Sequence, residues 1–262
     1  MTAAPPAGDR TTATPTVARP EGSVAGTVRR LAGAQKGAQG APAYSRFVNR
    51  PLGRVFAALA FHARLTPNAV TGLSAVATFS GIATLALARP SWTTGVAVTV
   101  LLVLGYALDS ADGQLARLRG GGSPAGEWLD HMVDSLKIDS LHLALLIGWY
   151  RADYVDGEGW LLVPLAFSVV SVVLFFATLL NEAMRAQHGA PTRAARTAGE
   201  RPSVLRSLLV VPTDYGLLCL TFLLLGAPAL FVPVYGLLLL ATAGYLGLAC
   251  VKWFAEMERL SR

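Results

Sequence analysis

Charge is scarce in this chain. Asp, Glu, Lys and Arg make up 15% of its 262 residues against 53% hydrophobic residues, which excludes an ordinary soluble domain of this length. Cysteine is nearly absent. Cys219 and Cys250 both fall inside apolar runs, so they read as small buried hydrophobes, and neither a disulfide framework nor a thiolate metal site is indicated. Lysine is confined to Lys36, Lys137 and Lys252, the remaining positive charge being arginine; with the abundance of Ala, Gly and Leu, this composition suits a high-GC bacterial genome. No apolar stretch follows the initial Met, so no cleaved signal peptide is expected. The net charge of +6 does not point to nucleic acid, because the basic residues sit in loops beside apolar runs; anionic lipid headgroups are the expected partner.

What is present is a series of apolar runs of the ~20 residues that cross a bilayer. Residues 69–88, 93–117, 126–150, 160–180, 208–225 and 230–250 predict six transmembrane helices, hence an all-α polytopic membrane protein. Residues 1–40, rich in Ala, Pro, Thr and Gly without sustained periodicity, read as a disordered cytoplasmic tail. Residues 41–67 form a juxtamembrane segment, and 68–262 the six-helix domain. Within the juxtamembrane segment, NRPLGRVFAALAFHARL places Asn49 as a helix cap and Pro51 in the first turn. Val55, Phe56, Leu59 and Ala60 give that helix an apolar side suited to the membrane interface.

Positive charge fixes the expected orientation. Arg117, Arg119, Arg185, Arg193, Arg196, Arg201, Arg206, Lys252, Arg259 and Arg262 fall on one side with the N-terminal segment; only Arg89 and Arg151 fall on the other. Both termini and the Asp109–Asp134 stretch are therefore expected to be cytoplasmic, in the inner membrane. Trp92, Trp149, Tyr150 and Trp160 mark the opposite interface.

The stretch from Asp109 to Asp134 carries the chemistry. At about 100° per residue, Asp109, Asp112, Gly113, Ala116 and Arg117 share one helix face, while Gly126, Asp130 and Asp134 recur every fourth residue as a second stripe. The RGGGSPA segment between them, residues 119–125, reverses the chain. Two helices thus present four carboxylates and a guanidinium to one cleft. Carboxylates so crowded repel one another unless a cation sits among them. Hard oxygen donors favour Mg²⁺ or Mn²⁺ over zinc, and the adjacent Arg suits a phosphate-bearing ligand.

This spacing resembles the signature of the CDP-alcohol phosphatidyltransferase family, D-x2-D-G-x2-A-R-x8-G-x3-D-x3-D, with every fixed position met. Residues 65–74, LTPNAVTGLS, are similar to the family's Pro-Asn-x-x-Thr stretch. The resemblance implies two divalent ions held by Asp109, Asp112 and Asp130, with Asp134 as a further ligand and the general base. It implies a CDP-linked lipid donor touching Asn68, Thr71, Gly113, Arg117 and Ser123, a small alcohol or polyol phosphate acceptor, CMP as product, and a homodimer. Asn68 is also read as a helix cap.

Other polar residues remain open. Lys137 shares the face of Asp130 and Asp134 and either meets the acceptor or neutralises a carboxylate. Arg185 and Arg206, in a basic connection, suit an anionic acceptor such as glycerol phosphate or inositol phosphate, and equally suit anionic lipid. Asp139 and His142 pair with each other or with a neighbouring helix. Asp214 is an acceptor contact or an interhelical partner. His131 is expected to point away from the carboxylate stripe and not to be a ligand. The competing function is a transporter or a non-enzymatic membrane protein using the carboxylates for a cation. No row of acids continues toward the other face, which disfavours it.

Overall fold

The computed structural model describes residues 22–33, 42–191 and 213–260. The described residues form helices and no strand. In chain order these are α1 (Val24–Gly33), α2 (Arg50–His62), α3 (Pro67–Leu87), α4 (Trp92–Leu118), α5 (Pro124–Ala152), α6 (Leu162–Gln187), α7 (Tyr215–Thr221) and α8 (Pro228–Leu260).

Local chemistry sets the boundaries. Ser91 and Ser123 cap α4 and α5 by accepting from the Thr94 and Gly126 N–H groups at 3.1 Å each, satisfying donors that a helix start leaves bare. Pro124 then occupies the first turn of α5. Between α4 and α5 the chain reverses through Gly120 and Gly121, whose φ of 98° and 131° is a region open to glycine at little cost. At its far end α5 stops at Asp153 in the left-handed conformation.

Among the described residues, four helical segments are long and apolar enough to cross a membrane: Pro67–Leu87, Trp92–Leu118, Glu158–Gln187 and Pro228–Leu260. The other two expected spans differ for physical reasons. α5 has 29 residues, about 43 Å of helix, but Glu127, Asp130, Asp134, Lys137 and Asp139 dilute its apolar character. The span expected over 208–225 begins outside the described residues; what is described is α7 followed by a tight turn of helix over Phe222–Gly226.

α3, α4 and α5 form the centre of the bundle. Their backbones approach closely at glycines: a Cβ on Gly105 would lie 2.0 Å from Thr78 Oγ1, and one on Gly148 would lie 2.4 Å from the Leu85 carbonyl oxygen. A large apolar cluster built on Leu102, Leu145, Trp149, Phe222, Phe231 and Tyr235 fills the end remote from the Asp109–Asp134 motif. A smaller cluster of Leu31, Ala57, Phe61, Val70, Ala111 and Leu115 packs the other end.

Two local expectations are corrected here. Asn49 does not cap α2: the chain is already helical through Ser45–Asn49, and Asn49 is buried with helical dihedrals and no capping hydrogen bond. Within the tail expected to be disordered, Val24–Gly33 is helical. Ser23 Oγ accepts from the Gly26 N–H at 3.2 Å, Thr27 Oγ1 meets His62 Nε2 at 3.2 Å, and Leu31 enters the small cluster. α2 itself has two apolar sides. Ala57, Ala60 and Phe61 are buried, whereas Leu52, Val55 and Leu59, in line with Val48 of the preceding turn, form an exposed stripe at helical spacing, as an interfacial helix requires.

Candidate functional site

The two halves of the motif meet across Lys137. Its buried ammonium donates to Asp109 Oδ1 on α4 at 2.6 Å, to Asp134 Oδ1 on α5 at 3.2 Å and to Ser74 Oγ on α3 at 3.2 Å. All three ammonium protons are thus placed. Ser74 Oγ in turn donates a hydrogen bond to the Gly105 carbonyl at 2.9 Å. Of the two roles open to Lys137, the geometry displays the neutralising one. Asp109 and Asp130 each act electrostatically on both Asp112 and Asp134, so the four carboxylates are within reach of one another, as the helical spacing predicted.

Asp112 is 6% exposed and is oriented from α3. Thr71 Oγ1 donates to Asp112 Oδ2 at 2.6 Å and also lies 3.1 Å from the Pro67 carbonyl. Partners that orient a ligating carboxylate affect the metal nearly as much as the ligand does. Thr71→Val, which keeps the shape and removes the donor, is expected to lower metal affinity about tenfold, read by titrating Mn²⁺ into the purified protein. Unchanged affinity would show that Asp112 does not depend on Thr71.

Asn68 is freed from capping by its neighbour. Thr66, in extended backbone conformation, accepts from the Ala69 N–H at 3.1 Å and is the cap, with Pro67 in the first turn. The cap expectation for Asn68 is therefore overturned, because proline fills the first helical position and hands capping to the residue before it. Asn68 is exposed. A Cβ on Gly126 would lie 3.1 Å from Asn68 Oδ1 and 3.2 Å from Ser123 Oγ, so Asn68, Ser123 and Gly126 converge at the start of α5. A side chain at Gly126 would fill that cradle.

Arg117 folds back over its own helix, its guanidinium 3.5 Å from where a Cβ on Gly113 would stand. It is exposed and within electrostatic reach of Asp112 and Arg50. Burial pulls the Arg50 guanidinium on α2 below its ordinary value, Arg46 adding to the shift and the Tyr106 phenol opposing it; it stays cationic at neutral pH. Arg119 donates to the Leu65 carbonyl at 2.6 Å, fastening the α4–α5 turn to the turn that enters α3.

The remaining residues divide. His131, expected to point away, offers a nitrogen that lies with carboxylate oxygens of Asp130 and Asp134 inside 4.8 Å of one another. Its position three residues before Asp134 places the two on adjacent rows of α5. Asp139 accepts from Ser168 Oγ at 2.7 Å, and His142 meets Tyr235 Oη at 2.6 Å and Ser171 Oγ at 3.1 Å while stacking on Phe167. Both pair with neighbouring helices and not with each other. Arg185 is 3% exposed and is held by Glu182 at 2.8 Å and by Glu256 of α8. Asp214 caps α7 through the Gly216 N–H at 3.0 Å and accepts from the Tyr44 N–H at 2.8 Å, which makes it a tie between segments. Arg193, Arg196, Arg201 and Arg206 lie outside the described residues.

The donor set fits a divalent cation. Four carboxylates with hard oxygens, one of them oriented by a threonine, match the ligands Mg²⁺ and Mn²⁺ prefer. Lys137 compensates only one of these charges. Fold and site together define the class: a helical integral membrane protein with a carboxylate-rich site between two of its central helices. The chain belongs to the CDP-alcohol phosphatidyltransferase family, whose model matches residues 64–251. It is also similar to the archaetidylinositol phosphate synthase of Aeropyrum pernix, 36% identical over 114 residues that cover 40% of this chain and 59% of that protein. The chain thus spans less than two thirds of that relative's length.

Proposed function

We propose that the protein is a phospholipid biosynthetic enzyme that transfers a phosphatidyl-type group from a CDP-linked lipid, CDP-diacylglycerol being the default donor, to the hydroxyl of an acceptor alcohol, with release of CMP. The observation that supports this reading is the gathering of the four motif carboxylates, Asp109 and Asp134 joined through Lys137 and Asp112 held by Thr71 of α3. Asp109, Asp112, Asp130 and Asp134 would hold the divalent ions, two by family resemblance. When bound, such ions neutralise the donor diphosphate and polarise the phosphorus under attack.

The chain's own residues supply the rest. Arg117, exposed above Gly113, meets the donor phosphates in the bidentate way a guanidinium permits. Gly113 and Gly126 leave room for the nucleotide between α4 and α5, and Asn68 and Ser123 line its edge. Asp134 accepts from Lys137 at Oδ1 only, and its second oxygen takes the proton from the acceptor hydroxyl. A bond forms between the deprotonated acceptor oxygen and the lipid-linked phosphorus as the bond from that phosphorus to the CMP oxygen breaks. Displacement is direct, since no Ser or Cys with a paired His belongs to the motif.

An inositol phosphate acceptor is favoured by the name of the Aeropyrum pernix relative, glycerol phosphate being the other polyol phosphate of the same charge class. Lys137 and Arg185 are engaged with carboxylates, so the acceptor reading does not rest on them. The excess of Lys and Arg on one side supports a cytoplasmic active site in the inner membrane, and family resemblance supports a homodimer.

Purified protein in lipid is expected to release CMP from CDP-diacylglycerol in the presence of Mg²⁺ or Mn²⁺ and inositol phosphate, with one new phospholipid seen by mass spectrometry and no release in EDTA. Absence of both metal-dependent donor binding and CMP release across a panel of acceptors would favour the cation-transport reading.

A further inference from the structure

His131 stands outside the family signature. Its Nδ1 is buried without a hydrogen-bond partner, a state that native structures rarely leave unexplained. Its ring packs edge-on against Phe175 of α6, with centroids 6.4 Å apart and planes at 69°, and that contact limits how the ring can turn. A nitrogen of the same ring shares a 4.8 Å cluster with Asp130 and Asp134. An imidazole with one unpartnered nitrogen, beside two carboxylates that would hold a divalent ion, is a ligand in waiting for a cation softer than Mg²⁺.

We propose that His131 donates a ring nitrogen to a divalent ion shared with Asp130 and Asp134, and that this nitrogen makes the site select Mn²⁺ over Mg²⁺. The inference rests on the metal-binding reading of the carboxylates above and deepens it by naming a ligand the signature does not contain. Mg²⁺ prefers an all-oxygen octahedral shell, whereas Mn²⁺, the weakest binder of the first-row transition ions, still takes an imidazole nitrogen more readily than Mg²⁺ does. One nitrogen among carboxylates therefore separates the two ions where four carboxylates alone do not.

The test uses the full chain in nanodiscs loaded with Mn²⁺. Pulsed electron paramagnetic resonance is expected to show ¹⁴N coupling from a directly bound imidazole, replaced by ¹⁵N coupling when the protein is made with ¹⁵N-histidine. His131→Phe preserves a ring against Phe175 and removes both nitrogens. It should abolish the coupling and weaken Mn²⁺ binding about tenfold, with Mg²⁺ affinity, measured by competition, changed less than twofold. His131→Gln serves as the second variant should the first fail to fold. Bound Mn²⁺ without nitrogen coupling in the parent protein would overturn the role of His131 and leave the carboxylate site standing. No Mn²⁺ binding at all would overturn both. Equal weakening of Mn²⁺ and Mg²⁺ binding in the variants would assign His131 to structure, not selectivity.

Discussion

Asp134→Asn is expected to lower CMP release by about 10²–10⁴-fold, the contribution of a positioned general base, while metal-dependent binding of CDP-diacylglycerol persists. The substitution is nearly isosteric, and an asparagine carbonyl still accepts from Lys137, whose other protons go to Asp109 and Ser74. The helices therefore stay joined and the defect appears in turnover. The measurement is paired: CMP release under saturating donor, and equilibrium binding of the donor with Mg²⁺. A rate within tenfold of the parent would remove Asp134 as base. Loss of donor binding together with rate would make Asp134 a holder of the cation first.

Lys137→Met is expected to destabilise the protein by about 3 kcal/mol in EDTA, the low end for removing one partner of a buried ion pair. The low end applies because the Asp109 and Asp134 side chains retain 22% and 29% exposure while that of Lys137 has 7%. The loss has a second source, since Ser74 loses the donor that joins α3 to α5. Divalent metal should restore much of the difference, because a cation bound only to the folded state stabilises it by mass action. Thermal unfolding followed with and without Mg²⁺ reads this directly. A variant whose melting temperature in EDTA matches the parent would show that Lys137 does not hold the carboxylates together.

The carboxylates were legible in the sequence because both helices are regular and capped, so that spacing alone orders their faces. The observed boundaries of α4 and α5 lie within a few residues of those expected. Capping by Asn68 was misread since Thr66, two residues earlier, also qualifies as a cap, and only the position of Pro67 decides between them. Helix α1 left little trace because its buried residues are Thr27 and Leu31 alone, too few for a visible period. Helical angles on one element left two fates open for Lys137, and the partners that separate them, Ser74 and Asp109, come from two other helices. Arg185 carried no sign of Glu256, which lies 71 positions away. The placement of His131 beside Asp134 depends on where its ring settles against Phe175, a tertiary contact that no periodicity encodes.

Helix α2 joins the motif to the outside of the bundle. Its inner side is pinned to α4: a Cβ on Gly53 would stand 2.7 Å from Ser110 Oγ, and Gln114 Nε2 reaches the Arg50 carbonyl at 3.3 Å. Its outer side is the stripe of Leu52, Val55 and Leu59, continued by Val48 of the turn before it. Whatever depth that stripe takes in a membrane is therefore also the depth at which Asp109, Asp112 and Arg117 ride.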